Sequence, residues 1–132
     1  MTRLIITCLL AAALVTVAII EQAYMHRSYQ HLQNELAALT QSVYSVGKED
    51  SVDTPENLKR ISAMYDYWVN REKILYLFIR QTDMSRVTDE IVYIKNFIYY
   101  DNKEEAAVAM SKLKYILHTY KHNARTGIQN IL

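Results

Sequence analysis

Residues 2–46 read TRLIITCLLAAALVTVAIIEQAYMHRSYQHLQNELAALTQSVYSV and contain neither glycine nor proline. Leu4 to Ile20 is an uncharged run of seventeen residues. As a helix it spans roughly 25 Å, slightly short of a hydrocarbon core of about 30 Å, and Glu21 to Tyr24 at the outer boundary make up the difference. Beyond it Met25, Tyr29, Leu32, Leu36, Leu39, Val43 and Val46 recur at steps of four and three, which lays one apolar seam along a helix. The simplest reading is one helix from about residue 4 to about residue 46, a hydrophobic rod that leaves the bilayer and continues as an amphipathic one.

The amino group of Met1 and Arg3 place positive charge on the short side of the run. That orients the N-terminus toward the cytoplasm and sends residues 21–132 outward. The rival is a cleaved signal peptide, because TVA at 16–18 offers small residues where a signal peptidase inspects them. Against it, no polar segment precedes Ala18, and cleavage leaves Ile19 and Ile20 at the new terminus. The expected division is a membrane anchor over 1–24, meeting the lipid bilayer through residues 4–20, and an extracytoplasmic helical bundle over 25–132.

Composition narrows the class. Two glycines and one proline in 132 residues leave long stretches without helix breakers, which points to an all-α chain. Arg3 is the one basic residue before position 20, so fourteen Lys and Arg face fourteen Asp and Glu beyond it. No basic excess marks a nucleic-acid partner. Cys8, the only cysteine, lies inside the apolar run, so no disulfide and no thiolate ligand is available beyond it.

The remainder divides at clear punctuation. Gly47 is expected to end the first helix in a left-handed conformation, and KEDSVD at 48–53 reads as a polar linker. Thr54 and Pro55 open a second helix running to about residue 80, with Leu58, Ile61, Tyr65, Trp68, Leu75 and Ile79 as its seam and Met64 and Phe78 widening it. The seam is interrupted at Arg71 and Glu72. Either both face water, or one is partly buried and paired with a charge such as Asp89 or Lys112. Asp83 or Ser85 is expected to cap a third helix carrying Val87, Ile91, Ile94 and Ile98. Asp101 or Asn102 is expected to cap a fourth carrying Ala106, Met110, Leu113, Leu117 and Tyr120. Short connections force antiparallel neighbours. The expected fold is therefore all-α, an N-terminal transmembrane helix continuous with the first helix of an extracytoplasmic antiparallel four-helix bundle. The closing TGIQNIL is expected to fold back onto the bundle.

The anchor, EQAYMHRSYQHLQNELAAL after it, the YDYWVNREKILYLFIRQTDMSRVTDEI segment, the YIKNFIYYDNKEEAAVAMSKLKYILHTY hairpin and the terminal QNIL resemble the bacterial family catalogued as domain of unknown function 4363. The resemblance covers essentially the whole chain. It implies a small membrane-anchored protein, chiefly of Gram-positive bacteria, with no assigned activity. It supports the topology and carries no diagnostic catalytic motif.

No residue pattern earns a catalytic, cofactor or metal assignment. His118 and His122, four apart, share a helical face at metal-ligand spacing, yet no third ligand accompanies them and a solvated pair is the plainer reading. His26 and His31, five apart, point in different directions. Eleven tyrosines and Trp68 raise an aromatic ligand cleft, although tyrosine at helical spacing usually fills core. Tyr24 reads as an interfacial aromatic at the outer leaflet. With no nucleophile and base, carboxylate pair or open metal site, a non-enzymatic role is expected. The ranked reading is a structural or interaction module at the outer face of the cytoplasmic membrane, binding a membrane or envelope protein. Its alternative is an envelope ligand-binding or sensory accessory subunit acting through a transmembrane partner. The seam at 25–46 also leaves a homodimeric coiled coil open, but the chain's own helices can cover it.

Overall fold

The computed structural model of the protein describes residues 1–47, 49–77 and 80–129, with side chains up to residue 122 in the last stretch. Four helices and no strand occur among them: α1 Thr2–Ser45, α2 Pro55–Leu75, α3 Gln81–Tyr99 and α4 Lys103–Gln129. α1 is unbroken for 44 residues, a rod of about 66 Å. Its first part is exposed throughout, over residues 2–20, and burial begins in earnest at Ser28 and Tyr29.

The helices close into a square in which each packs on two neighbours, α1 on α2 and α4, and α3 on α2 and α4. Contacts fix the directions. Ser42 meets Asn57 while Tyr29 meets Trp68, so α1 and α2 are antiparallel. Tyr120 reaches back to Asp83, and Lys103 to Val46 while Lys121 reaches Gln30, so α4 opposes both α3 and α1. The expected seam of α1 is the buried one, with Leu32, Leu39 and Val43 fully enclosed and Met25 and Val46 resting on the edge of the core. α3 and α4 bury Val87, Ile91, Ile94, Ile98, Ala106, Met110, Leu113 and Leu117 as their spacing requires. On α2 the stripe turns slightly: Met64 with Ile61, Trp68 and Leu75 is buried, while Tyr65 lies half-buried beneath Lys95. Ile79 and Phe78 fall outside the described residues, as do the side chains of TGIQNIL.

Several helix ends differ from expectation. Gly47 is not left-handed. α1 instead stops because Val46 turns extended, at φ −70° and ψ 129°, with its carbonyl accepting from Lys103 Nζ at 2.6 Å. α2 ends at Leu75 rather than near residue 80, since Leu75 is its last side chain in the core and the backbone turns at Tyr76. Neither Asp83 nor Ser85 caps α3. The helix begins earlier, at Gln81 after an extended Arg80, leaving Asp83 in the first turn and Ser85 Oγ donating to the Gln81 carbonyl. Thr54 and Pro55 open α2 as the sequence indicates, with Thr54 Oγ1 accepting from Asn57 N–H. Asn102 Oδ1 accepts from Glu105 N–H at the start of α4.

Asp101 has a different task from the one its position suggests. At φ 56° it is the left-handed residue that closes α3, with Asp101 N–H donating to the Ile98 carbonyl and Asn102 N–H to that of Phe97. Its freed carboxylate accepts from Val52 N–H at 2.7 Å. Val52 is fully buried, so KEDSVD is a plug as well as a linker. Asn57, buried beneath it, donates Nδ2–H to the Val52 carbonyl and accepts from Ser42 Oγ–H at 2.6 Å. Asn57→Ala strips both partners and should cost about 1–3 kcal/mol, against under about 1.5 kcal/mol for Ser42→Ala, read as shifts in urea midpoint at unchanged slope. Equal midpoints for Asn57→Ala and wild type contradict this role.

Candidate functional site

The end of the bundle nearest the rod draws on all four helices. Tyr29 of α1 stacks on Trp68 of α2, centroids 6.2 Å apart, and leans on Tyr120 of α4 at 6.0 Å. Trp68 Nε1–H donates to Thr88 Oγ1 on α3, and Thr88 Oγ1 lies 3.2 Å from both Glu72 Oε1 and the Met84 carbonyl. Tyr120 O–H sits 3.2 Å from the carbonyl of Asp83 and 3.3 Å from its carboxylate. Burial raises the Tyr29 phenol above its ordinary pKa, with Tyr120 and Asp83 adding to the shift. Tyr120 is raised too, first by burial and then by Asp83. Both phenols stay protonated across the physiological range, so the aromatic part of the cluster is packed and uncharged, with the Asp83 and Glu72 carboxylates at its border.

Arg71 and Glu72 resolve the break in the α2 seam without meeting Asp89 or Lys112. Arg71 Cζ stands over the rings of Tyr24, at 4.8 Å, and Tyr67, at 5.0 Å. Glu72 Oε1 accepts from Tyr76 O–H at 2.7 Å. Both side chains are half-buried, each held by polar or aromatic neighbours. Tyr24 therefore supports a cation as well as standing at the edge of the apolar run. His31 lies on Tyr67, centroids 4.0 Å apart.

A cavity of about 450 Å³ opens between α1 and the end of α4, lined by Ile19, Gln22, Ala23, Met25, His26, Tyr29 and Lys121. Among the described residues one tyrosine, Tyr29, borders it. Tyr44, Tyr93, Tyr99, Tyr100 and Tyr115 are more than half exposed. His118 and His122 are exposed on α4, and among the described residues no group of three His, Cys, Asp or Glu gathers to hold a metal.

Most of the exposed carboxylates lie toward one end of the bundle, which they share with Lys59 and Lys103. Glu49, Asp50, Asp53, Glu56, Glu104 and Glu105 stand exposed at the end far from the rod. Arg27, Lys73, Arg80 and Lys121 stand exposed at the near end, with all four histidines on its α1 and α4 side. No composition total reveals this, because acidic and basic residues nearly balance over the whole chain, at a net charge of +1.

A third feature lies on the outer face of α3 and α4. Tyr93 and Phe97 stack at 6.3 Å, and they share a depression of about 240 Å³ with Glu90, Glu105, Val108 and Lys112. Tyr93, Val108 and Tyr115 are 52%, 50% and 72% exposed. The Glu90 carboxyl beside them is raised by burial, against the pull of Lys112.

The molecule is thus a four-helix all-α protein whose first helix carries one stretch long and apolar enough to cross a membrane, none of it buried by the rest of the chain. It belongs to the family described as Domain of unknown function (DUF4363), whose model matches residues 19–131. The match begins at the last two residues of the uncharged run. Comparison with curated proteins and with solved structures gives no match.

Proposed function

We propose that the chain is a non-enzymatic module held in the cytoplasmic membrane by residues 4–20, its bundle standing at the outer face and binding a membrane or envelope protein. The observation that carries the reading is the continuity of α1: an exposed apolar length and a core-forming length share one helix with no hinge between them. A rod rigidly joined to its bundle transmits position, which suits an anchor better than a leader meant for removal. The side offered to a partner is the α3/α4 face, where exposed tyrosines supply large, rigid contact area.

The full chain should resist alkaline carbonate extraction, and a C-terminal reporter should be active only outside the cytoplasm. A soluble mature protein starting near Ile19, or a cytoplasmic C-terminus, defeats the anchor. Tyr93→Ala with Tyr115→Ala should change stability by no more than about 0.5 kcal/mol per site while abolishing co-purification of the partner. Retention of the partner moves the interface elsewhere.

The cavity between α1 and α4 favours a second reading, a ligand-binding or sensory accessory subunit working through a transmembrane partner. A rise in Tm on adding cell-wall fragments separates it from the first.

A further inference from the structure

The last residues of α2 and the turn after it carry three apolar side chains that face away from the core: Ile74 is 46% exposed, Tyr76 44% and Leu77 77%. Lys73 and Arg80, on either side of them in sequence, are basic and exposed. Two contacts show how far this tip reaches along α1. Trp68 lies against Tyr29, and Arg71 over Tyr24. Antiparallel helices of equal rise match each step forward along one with a step back along the other. Leu75 is therefore level with about residues 20–22 of α1, and Tyr76 and Leu77 lie past it, beside the exposed end of the uncharged run at Ile19 and Ile20.

We propose that this tip is a second contact with the bilayer. Ile74, Tyr76 and Leu77 enter the leaflet from which the rod emerges, and Lys73 and Arg80 lie among the phosphates of anionic phospholipids. The proposal rests on α1 spanning the membrane. Three features agree on lipid as the occupant. The tip stands at the depth where the rod passes from uncharged residues to Glu21; its composition is an apolar point with an aromatic and flanking cations, the make-up of interfacial segments; and the carboxylates nearest it, Glu21, Glu72 and Asp83, are half-buried, whereas Glu49, Asp50, Asp53, Glu56, Glu104 and Glu105 at the opposite end of the bundle are exposed. The contact has a mechanical consequence. A single rod leaves the bundle free to rotate about the rod axis, whereas a second contact on another helix pair fixes both tilt and rotation. The α3/α4 face is then presented in one direction.

The test uses the full chain with Cys8→Ala, so that one introduced cysteine carries an environment-sensitive NBD label, reconstituted in phosphatidylcholine vesicles containing a minority of phosphatidylglycerol. Labels go at Leu77→Cys, at Leu10→Cys in the rod and at Tyr100→Cys at the far end, all exposed positions. The labels at 77 and 10 should be severalfold brighter than that at 100 and quenched by nitroxide-bearing lipids. A quenched rod label with a dim, unquenched label at 77 overturns the proposal and leaves the anchor standing. Dim labels at both overturn the anchor and the proposal together. A label at 77 that is bright yet untouched by nitroxide lipids assigns the tip to a protein contact and also overturns it.

Discussion

Leu36→Asp abolishes the folded bundle, whereas Gln33→Asp, almost one turn away on the same helix, leaves it intact. Leu36 is 3% exposed within the α1 seam, while Gln33 is half-buried and borders a groove that also contains Lys114. Removing a buried leucine side chain alone costs about 2–5 kcal/mol. A carboxylate in its place must either remain charged without a partner or take up a proton, which adds several kcal/mol. Together these approach the whole stability of a domain, about 5–15 kcal/mol. Since the exposed length of α1 makes no use of the bundle core, it can stay helical when the bundle unfolds, and far-ultraviolet dichroism then understates the loss. Amide hydrogen exchange across α2, α3 and α4 is the sharper readout, with protection gone in Leu36→Asp and retained in Gln33→Asp. Equal damage from the two substitutions refutes the seam.

Trp68→Ala is the second large effect, about 3–5 kcal/mol. The indole is fully buried where α1, α2 and α3 meet, stacked on Tyr29, with its N–H satisfied by Thr88. Trp68→Phe keeps most of the volume and removes the donor, leaving Thr88 with its contacts to Glu72 and Met84. It should cost about 1–2 kcal/mol. Guanidinium unfolding followed at constant slope measures both. If phenylalanine costs as much as alanine, the hydrogen bond rather than the packing carries the site; if neither costs anything, Trp68 is not the keystone of that end.

Much of the helical plan was legible beforehand. Glycine and proline are scarce, and period-3.6 apolar spacing is a local property that survives whatever the neighbours do. The α1 seam, the Thr54-Pro55 start and the stripes of α3 and α4 follow from it directly. Seams also imply antiparallel packing once connections are short. The stripe on α2 was harder to place because Met64 and Tyr65 are adjacent and both apolar enough to face inward; contact with the other helices selected Met64. The candidate site was less legible still. Tyr24, Arg71, Glu72 and Trp68 stand out as unusual residues on paper, but nothing in their spacing says that Arg71 lies on Tyr24 or that Glu72 receives Tyr76. A lone valine and a nearby asparagine around a polar linker were the one faint signal for the Val52–Asn57 plug.

The chain alone therefore settles that it is helical, which faces are greasy, and that one apolar rod runs into the bundle, since each of these is decided within a few turns by backbone geometry and water. Folding in three dimensions decides the rest: Asp101 in a left-handed turn instead of an N-cap, α1 closed by Lys103 instead of Gly47, and an apolar tip on α2 brought level with the rod. Those outcomes depend on which polar group finds a partner across tens of residues, and hydrogen bonding between distant segments leaves no periodic trace in the order of the amino acids.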